Sequence, residues 1–456
     1  MSANLIRMDW PDFGMPDVPP DMSLPDMRAR VQATRAAMAA RGLEILLIYG
    51  DREHAANIQW LTGFDPRFEE AVLILAQDDA LLLAGNECLP YTDISLLVAV
   101  GDIAVGHCAS LSLPSQPREG RRLADWLQQA VPAGAAVGVA GWKWFEATEM
   151  DNPSSALDIP TFLADLLRAI AGSVVAAADL LMHPGYGLRA RVDAAEVARL
   201  EFANHMASSA VRRMAFGFRE GMRDFEAVEV GQVGGLPLGC HTTFATGRRA
   251  AQGLSSPSGE VLRRGSAISF NVCHWRANIC RAGWLATGPD DAPNGYLEDF
   301  AGPYVAAMSE WFDMMRPGVA GGDVWSRMQT LLPFEMFGLY LNPGHLIGLD
   351  EWLSSPIAEG SQVPLASGMA MQCDVIPSHP VFGSTRMEDG YVIADQALRA
   401  ELAAQFPEVL ARCDARASFM RDVIGLKVPE TLLPLADTCG IVAPYLFDPS
   451  KVISLR

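Results

Sequence analysis

Apolar and polar positions along this chain alternate between a helical and a strand rhythm. Met27, Val31 and Met38 recur at helical spacing in a segment from about Asp26 to Arg41, with Gly42 placed to stop it. LEILLIYG, residues 43–50, is a continuous apolar run ending at glycine, as a buried strand does. EAVLILAQDDALLLAG, residues 70–85, predicts a hairpin turned at Gln77, Asp78 and Asp79. Helix and strand go on alternating through RRLADWLQQAV and AAVGVAGW to about Asp179, the pattern of a compact α/β domain. The first twenty-five residues, rich in Pro, Asp and Met, read as an extended arm.

HPGYGLRARV, residues 183–192, breaks the rhythm with Pro and Gly, so the chain divides there into domains over 1–185 and 186–456. Asp193 then caps a long helix from about Ala194 to Phe216. After Gly265 the texture becomes strand-like in SAISFNV and NICRAGWLA. A second helix is predicted from about Glu298 to Met315, stopped by Arg316, Pro317 and Gly318. Further strands are expected at MAMQCDVI, HPVFG and GYVIAD. Trp311, Phe312, Met314 and Met315 fall at helical spacing and read as core.

Composition narrows the classes. A chain of 456 residues, 50% apolar and 20% charged, suits two or three globular domains. A net charge of −19 argues against nucleic acid and anionic membranes as partners, since phosphate contacts need clustered Lys and Arg. Eight cysteines without a CxxC pair predict reduced thiols rather than a disulfide framework or structural zinc. The opening residues lack a basic and apolar leader pattern, and runs such as AVLILA are too short to span a membrane. A cytoplasmic protein is the expectation.

Four stretches resemble the creatinase/prolidase/aminopeptidase-P family, in the family's order. MAARGLEILLIYG with ANIQWLTGF looks like the opening of its amino-terminal domain. LRARVDAAEVARLEFANHMA is similar to the helix that begins its catalytic domain, with Val192 for the usual lysine. RPGVAGGDVW resembles its proline-glycine turn. NPGHLIGLDEW is close to its glycine-histidine-glycine turn, with Leu346 for the second glycine. The resemblance implies an α/β (α+β) chain: a creatinase-like amino-terminal domain followed by a pita-bread domain, in a homodimer.

The family holds two divalent ions with two aspartates, a histidine and two glutamates. Carried over by position, the first aspartate falls at Asn271 and the second, eleven residues on, at Ala282. The histidine is kept as His345, the first glutamate becomes Asp374, and the second is kept as Glu388. Two ions need several anionic oxygens to balance four charges, and Asn and Ala supply none. The implied cofactor is therefore none, with one divalent metal on His345, Asp374 and Glu388 as the alternative. Creatinase, the family's metal-free relative, cleaves a C–N bond with a histidine that falls here at Gln252. Its guanidinium-binding glutamate falls at Trp284, and an arginine that reaches a partner's site at Arg67.

The resulting expectation is a metal-independent hydrolase of a C–N or amide bond in a small polar molecule. His345 would move the proton, and Asp374 and Glu388 would share a cleft on neighbouring strands and split their pKa values. Gln252, Asn271, Trp284 and Arg67 would bind substrate. Arg386 is the cation placed to pair with Glu388 instead. Cys273, His274, Cys280 and Cys373 read as small buried groups rather than as a Cys–His nucleophile. Asp65, Arg67, Glu69 and Glu70 read as a solvated loop. The alternatives are an inactive pita-bread protein that binds a peptide or metabolite, and a mononuclear Xaa-Pro metallopeptidase or lyase.

Overall fold

The computed structural model describes residues 3–250 and 253–456, in two units: 21–189, and 190–456 together with 3–20. In the first unit a six-stranded mixed sheet runs in the order Ala104–His107, Ala80–Ala84, Ala71–Ala76, Ile45–Gly50, Ala136–Ala140 and Ser173–Ala176. The central strands are apolar at every position because helices cover both faces. Leu123, Leu127, Leu163 and Leu167, from Leu123–Ala130 and Thr161–Ile170, pack on Ile45, Leu47, Val137 and Val139. The predicted first helix spans Leu24–Ala40, capped by the Ser23 hydroxyl. The predicted hairpin forms with Ile74 opposite Leu81.

The loop after the helix Ala56–Thr62 is only in part the solvated surface expected. Asp65 and Glu69 are buried. Glu69 Oε2 accepts from the amides of Glu87 and Cys88 at 3.0 Å, and Tyr49 donates to Glu70 at 2.5 Å. Asp65 and Glu69 close local backbone, Glu70 takes the Tyr49 hydroxyl, and Arg67 alone of the four stays exposed.

The second unit holds two four-stranded sheets. One orders Arg386–Glu388, Ala277–Trp284, Ala267–His274 and Phe244–Thr246; the other His345–Leu346, Ala370–Gln372, Gly390–Ile393 and Leu432–Pro434. The long helix Ala194–Gly217 starts where the Asp193 carboxylate accepts the Glu196 amide at 2.7 Å. The second predicted helix is split. Tyr296–Ala301 is a wide π-helical turn, and the α-helix proper runs Gly302–Met314, because Pro303 has no N–H to continue the ladder.

Two expectations change. HPVFG is a turn, closed by paired backbone bonds between His379 and Gly383. The arm is not wholly irregular: Asn4–Arg7 pairs antiparallel with Lys451–Ser454, and buried Trp10 donates to the Pro449 carbonyl at 2.9 Å. Among the described residues no helix is long and apolar enough to cross a membrane.

Candidate functional site

The polar cluster of the second unit grows from a strand hairpin. Ala267–His274 and Ala277–Trp284 are joined by a two-residue turn, Trp275 and Arg276, with Arg276 at φ 75°. Residue 276 is held from both sides: its guanidinium lies 2.5 Å from Glu196, and its carbonyl accepts from Asn204 Nδ2 at 3.0 Å. The register sets Cys280 opposite both Asn271 and Glu388. Side chains alternate along a strand, so Asn271, Asn278, Cys280 and Glu388 share one face. Cys273 and His274 are adjacent and point to opposite faces, so they form no nucleophilic pair.

The tight turn implies a correction. Ala282 pairs with Ser269 and Arg386 and brings no polar group to the cluster. The side chain that meets Asn271 and Glu388 is Asn278, seven residues after Asn271 rather than eleven. An amide relay runs inward from the backbone. Thr243 N–H donates to Asn271 Oδ1 at 2.7 Å, and Asn271 Nδ2 donates to Asn278 Oδ1 at 3.0 Å. Asn278 Nδ2 then donates to Glu388 Oε1 at 2.7 Å and to Glu351 Oε1 at 3.0 Å. Because a backbone N–H can only donate, the direction of every amide in the chain follows from Thr243.

His345 enters from the second sheet. The preceding Gly344 sits at φ 116°, where a Cβ would meet the Gln372 carbonyl and the Trp311 ring at 3.0 Å, so only glycine fits. Nδ1 of His345 lies 3.1 Å from the Leu346 carbonyl and must carry its hydrogen there, which leaves Nε2 facing inward. That atom is buried without a hydrogen-bond partner, 3.6 Å from Glu351 Oε1 and 3.8 Å from Asp374 Oδ2. Trp352 stacks on the imidazole, centroids 4.1 Å apart.

Two carboxylates therefore face the imidazole, and Glu388 joins them through Asp374 and Asn278. Asp374 and Glu388 do not lie on neighbouring strands: Asp374 follows the end of Ala370–Gln372 in one sheet, and Glu388 closes Arg386–Glu388 in the other. Burial, then the Asp374 charge, pushes the Glu388 carboxyl well above the ordinary range. Burial also raises Asp374, opposed by His345 and by a hydrogen bond with Glu388. Arg386 makes no ion pair with Glu388 within 4 Å among the described contacts; it donates to Cys280 Sγ at 3.5 Å and Ser384 Oγ at 3.3 Å. On the reverse face Arg281 is buried against Asp389 at 2.8 Å and donates to the carbonyls of Cys280 at 2.8 Å and Glu388 at 3.1 Å.

The other expected ligand-binding residues are not gathered here. Trp284 lies six residues along the strand from Asn278, about 20 Å at strand rise, and its indole N–H is bound to the Phe382 carbonyl at 3.0 Å. Arg67 belongs to the first unit and pairs with Asp65 at 3.1 Å. Gln252 lies outside the described residues. Glu351, Trp352, Gln372 and Asn278 were not singled out from the sequence. The two-residue turn was the one available signal for Asn278.

The two-ion centre of the resembling family can be tested on this donor set. Two of the five positions are neutral amides; one presents N–H to the carboxylates, and the other's oxygen is bound to Thr243. An N–H cannot ligate a cation, and the set does not fit a pair of ions. Among the described residues no group of three or more His, Cys, Asp or Glu side chains is spaced to hold one.

Residues 30–150 match the family described as Creatinase/Prolidase N-terminal domain. A comparison with curated protein sequences finds no match. Among solved structures, the chain is similar to the prolidase of Pyrococcus horikoshii at 15% identity and TM-score 0.63, over 80% of this chain and 95% of that one. A Bacillus anthracis Xaa-Pro dipeptidase superposes with TM-score 0.62 at 15% identity, over 81% and 96%. Zinc-substituted aminopeptidase P of E. coli, in complex with product, gives TM-score 0.60 at 14% identity, over 82% and 94%.

Proposed function

We propose that this chain, which carries a creatinase/prolidase N-terminal domain and has the pita-bread fold of prolidases and aminopeptidase P, hydrolyses a C–N or amide bond in a small polar molecule without a metal. The observation that carries the reading is the buried His345 Nε2, unpartnered and within 4 Å of two carboxylates. An imidazole fixed by Leu346 and Trp352, with its lone pair turned inward, is equipped as a general base. It takes a proton from water as the oxygen attacks the carbon. Asp374 and Glu388, whose repulsion favours sharing one proton, give it to the leaving nitrogen. The C–N bond breaks, and the imidazolium passes its proton back to the Asp374–Glu388 pair, whose nearest oxygen lies 3.8 Å from Nε2, so that both groups are restored. The sparse cysteines support a cytoplasmic setting, and the resemblance supports a homodimer.

The test is turnover of a panel of amides, amidines and Xaa-Pro dipeptides by the purified protein, before and after His345→Ala. The variant is expected to keep its melting temperature to within a few degrees and lose turnover by the roughly 10²–10⁴-fold that general acid–base catalysis supplies. Activity that survives the change overturns the mechanism. The two aspartate-to-amide replacements favour a second reading, a protein that only binds its ligand. A compound that stabilises the protein and is recovered unchanged after long incubation would establish that reading instead.

A further inference from the structure

We propose that a cavity of about 330 Å³ beside the helix Gly302–Met314, within the unit 190–456, binds a small amphiphilic monocarboxylate: an aliphatic chain ending in one carboxylate. The cavity shares no residue with the polar cluster around His345, and its size falls within the range of small-ligand pockets. Helical spacing makes it. Pro303, Ala306, Ala307 and Glu310 stand at i, i+3, i+4 and i+7, so they share one face of the helix. Ala306 and Ala307 project no atom beyond Cβ, which leaves that face hollow. On the helix Gly321–Leu331, Arg327 and Leu331 are one turn apart and line the same hollow. Leu455 completes the wall, its amide tied to the Ile424 carbonyl at 2.8 Å.

The lining sorts by chemistry. Pro303, Ala306, Leu331 and Leu455 are apolar, while the charged groups gather around Glu310. Lys427 Nζ lies 2.5 Å from one of its carboxylate oxygens, and an Arg327 nitrogen lies 3.2 Å from the other. Lys427 is placed by its own backbone N–H, which donates to the buried Ser309 Oγ at 3.0 Å. Glu310, Arg327 and Lys427 are the charged side chains among the described lining residues, so the site carries a surplus of one positive charge in a chain of net charge −19. Arg327 and Lys427 are exposed, so an incoming anion reaches them from solvent. One surplus charge matches one carboxylate, which also fits the planar fork of a guanidinium. A phosphate dianion exceeds that charge, and an amine is repelled by it. The apolar wall then takes the chain, each buried methylene adding up to about fourfold in affinity.

The experiment titrates the full chain with hexanoate, butyrate, hexyl phosphate and hexylamine, followed by ligand-observed NMR and by melting temperature. Wild type, Arg327→Gln, Glu310→Gln and Ala306→Phe are compared. Hexanoate is expected to fill one saturable site in the wild type and to raise its melting temperature, as binding to the folded state requires. Butyrate, two methylenes shorter, should bind up to about 16-fold more weakly, and hexylamine should not saturate. Arg327→Gln should weaken hexanoate by about tenfold or more, the worth of a hydrogen bond to a charged group. Ala306→Phe fills the hollow and should abolish binding. Glu310→Gln should tighten it, because both cations then face the ligand alone, a gain that damage to the fold would not produce.

No saturable hexanoate binding by the wild type overturns the proposal. So does hexanoate affinity that Arg327→Gln leaves unchanged, or that falls in Glu310→Gln. Hexyl phosphate bound more tightly than hexanoate overturns the monocarboxylate class. Each of these failures leaves the proposed hydrolysis standing, since none of the three substituted residues belongs to the cluster around His345.

Discussion

Burial and the Asp374 charge hold the Glu388 proton more tightly in the folded chain than in the unfolded one. A carboxyl raised in this way stabilises fully below the ordinary glutamate range, and that contribution is lost as pH rises through the raised value. Glu388→Gln keeps an acceptor for Asn278 and a donor for Asp374 but cannot ionise. Its melting temperature is expected to match the wild type near pH 5 and exceed it at pH 8. A wild type that melts higher at both values refutes the assignment. At this scale the sequence showed His345, Asp374, Glu388 and Asn271, because each sits in a short motif. It hid Asn278, because family spacing counts residues across a hairpin whose turn is shorter here. It hid Glu351 and Trp352, because the loop that brings them to His345 has no periodicity to read.

Elements are held in register behind the site by one buried ion pair. Arg281 binds Asp389 at 2.8 Å, Thr438 donates to Asp389 at 2.6 Å, and the guanidinium spans the carbonyls of Cys280 and Glu388. It fastens the strand carrying Asn278 to the strand carrying Glu388. Removing one partner leaves the other charged in a dry interior. Arg281→Met should cost about 3–5 kcal/mol in denaturant unfolding, and Arg281→Met with Asp389→Leu should recover part of that loss. Equal losses in the single and double variants would show that packing, not charge, holds the strands together. Of the strands in this clamp, Ala267–His274 and Ala277–Trp284 were legible as the strand-like runs SAISFNV and NICRAGWLA, whereas Arg386–Glu388, three residues of mixed polarity, left no such run. HPVFG misled because its aromatic and aliphatic content imitates a strand, while Pro380 and the His379–Gly383 closure make it a turn. The split at Gly302 was equally hidden, since a π-helical turn carries the same composition as an α-helical one.

Over the whole molecule, the two-domain reading came from the Pro- and Gly-rich stretch at residues 183–192, but nothing local showed that residues 3–20 belong with 190–456. Strand pairing between distant segments leaves no periodic trace. Trp10 is buried, donates to Pro449 and packs edge-on to Phe216 at 5.6 Å. Trp10→Ala should therefore destabilise the site-bearing unit by about 3–5 kcal/mol, with residues 21–189 melting as before; a shift in that unit instead would contradict the division. The pairing of Asn4–Arg7 with Lys451–Ser454 also has a kinetic consequence. Arg7 and Asp448, which meet at its edge, are 441 positions apart, and closing so long a loop costs entropy that grows with the logarithm of its length. Contacts of that separation form late. The intervening unit can collapse on its own and shorten the flexible path that remains. A refolding chain would thus seal the site-bearing unit last, and until that clasp shuts, Trp10 and the edge of Lys451–Ser454 stay open to proteases and to other unfinished chains.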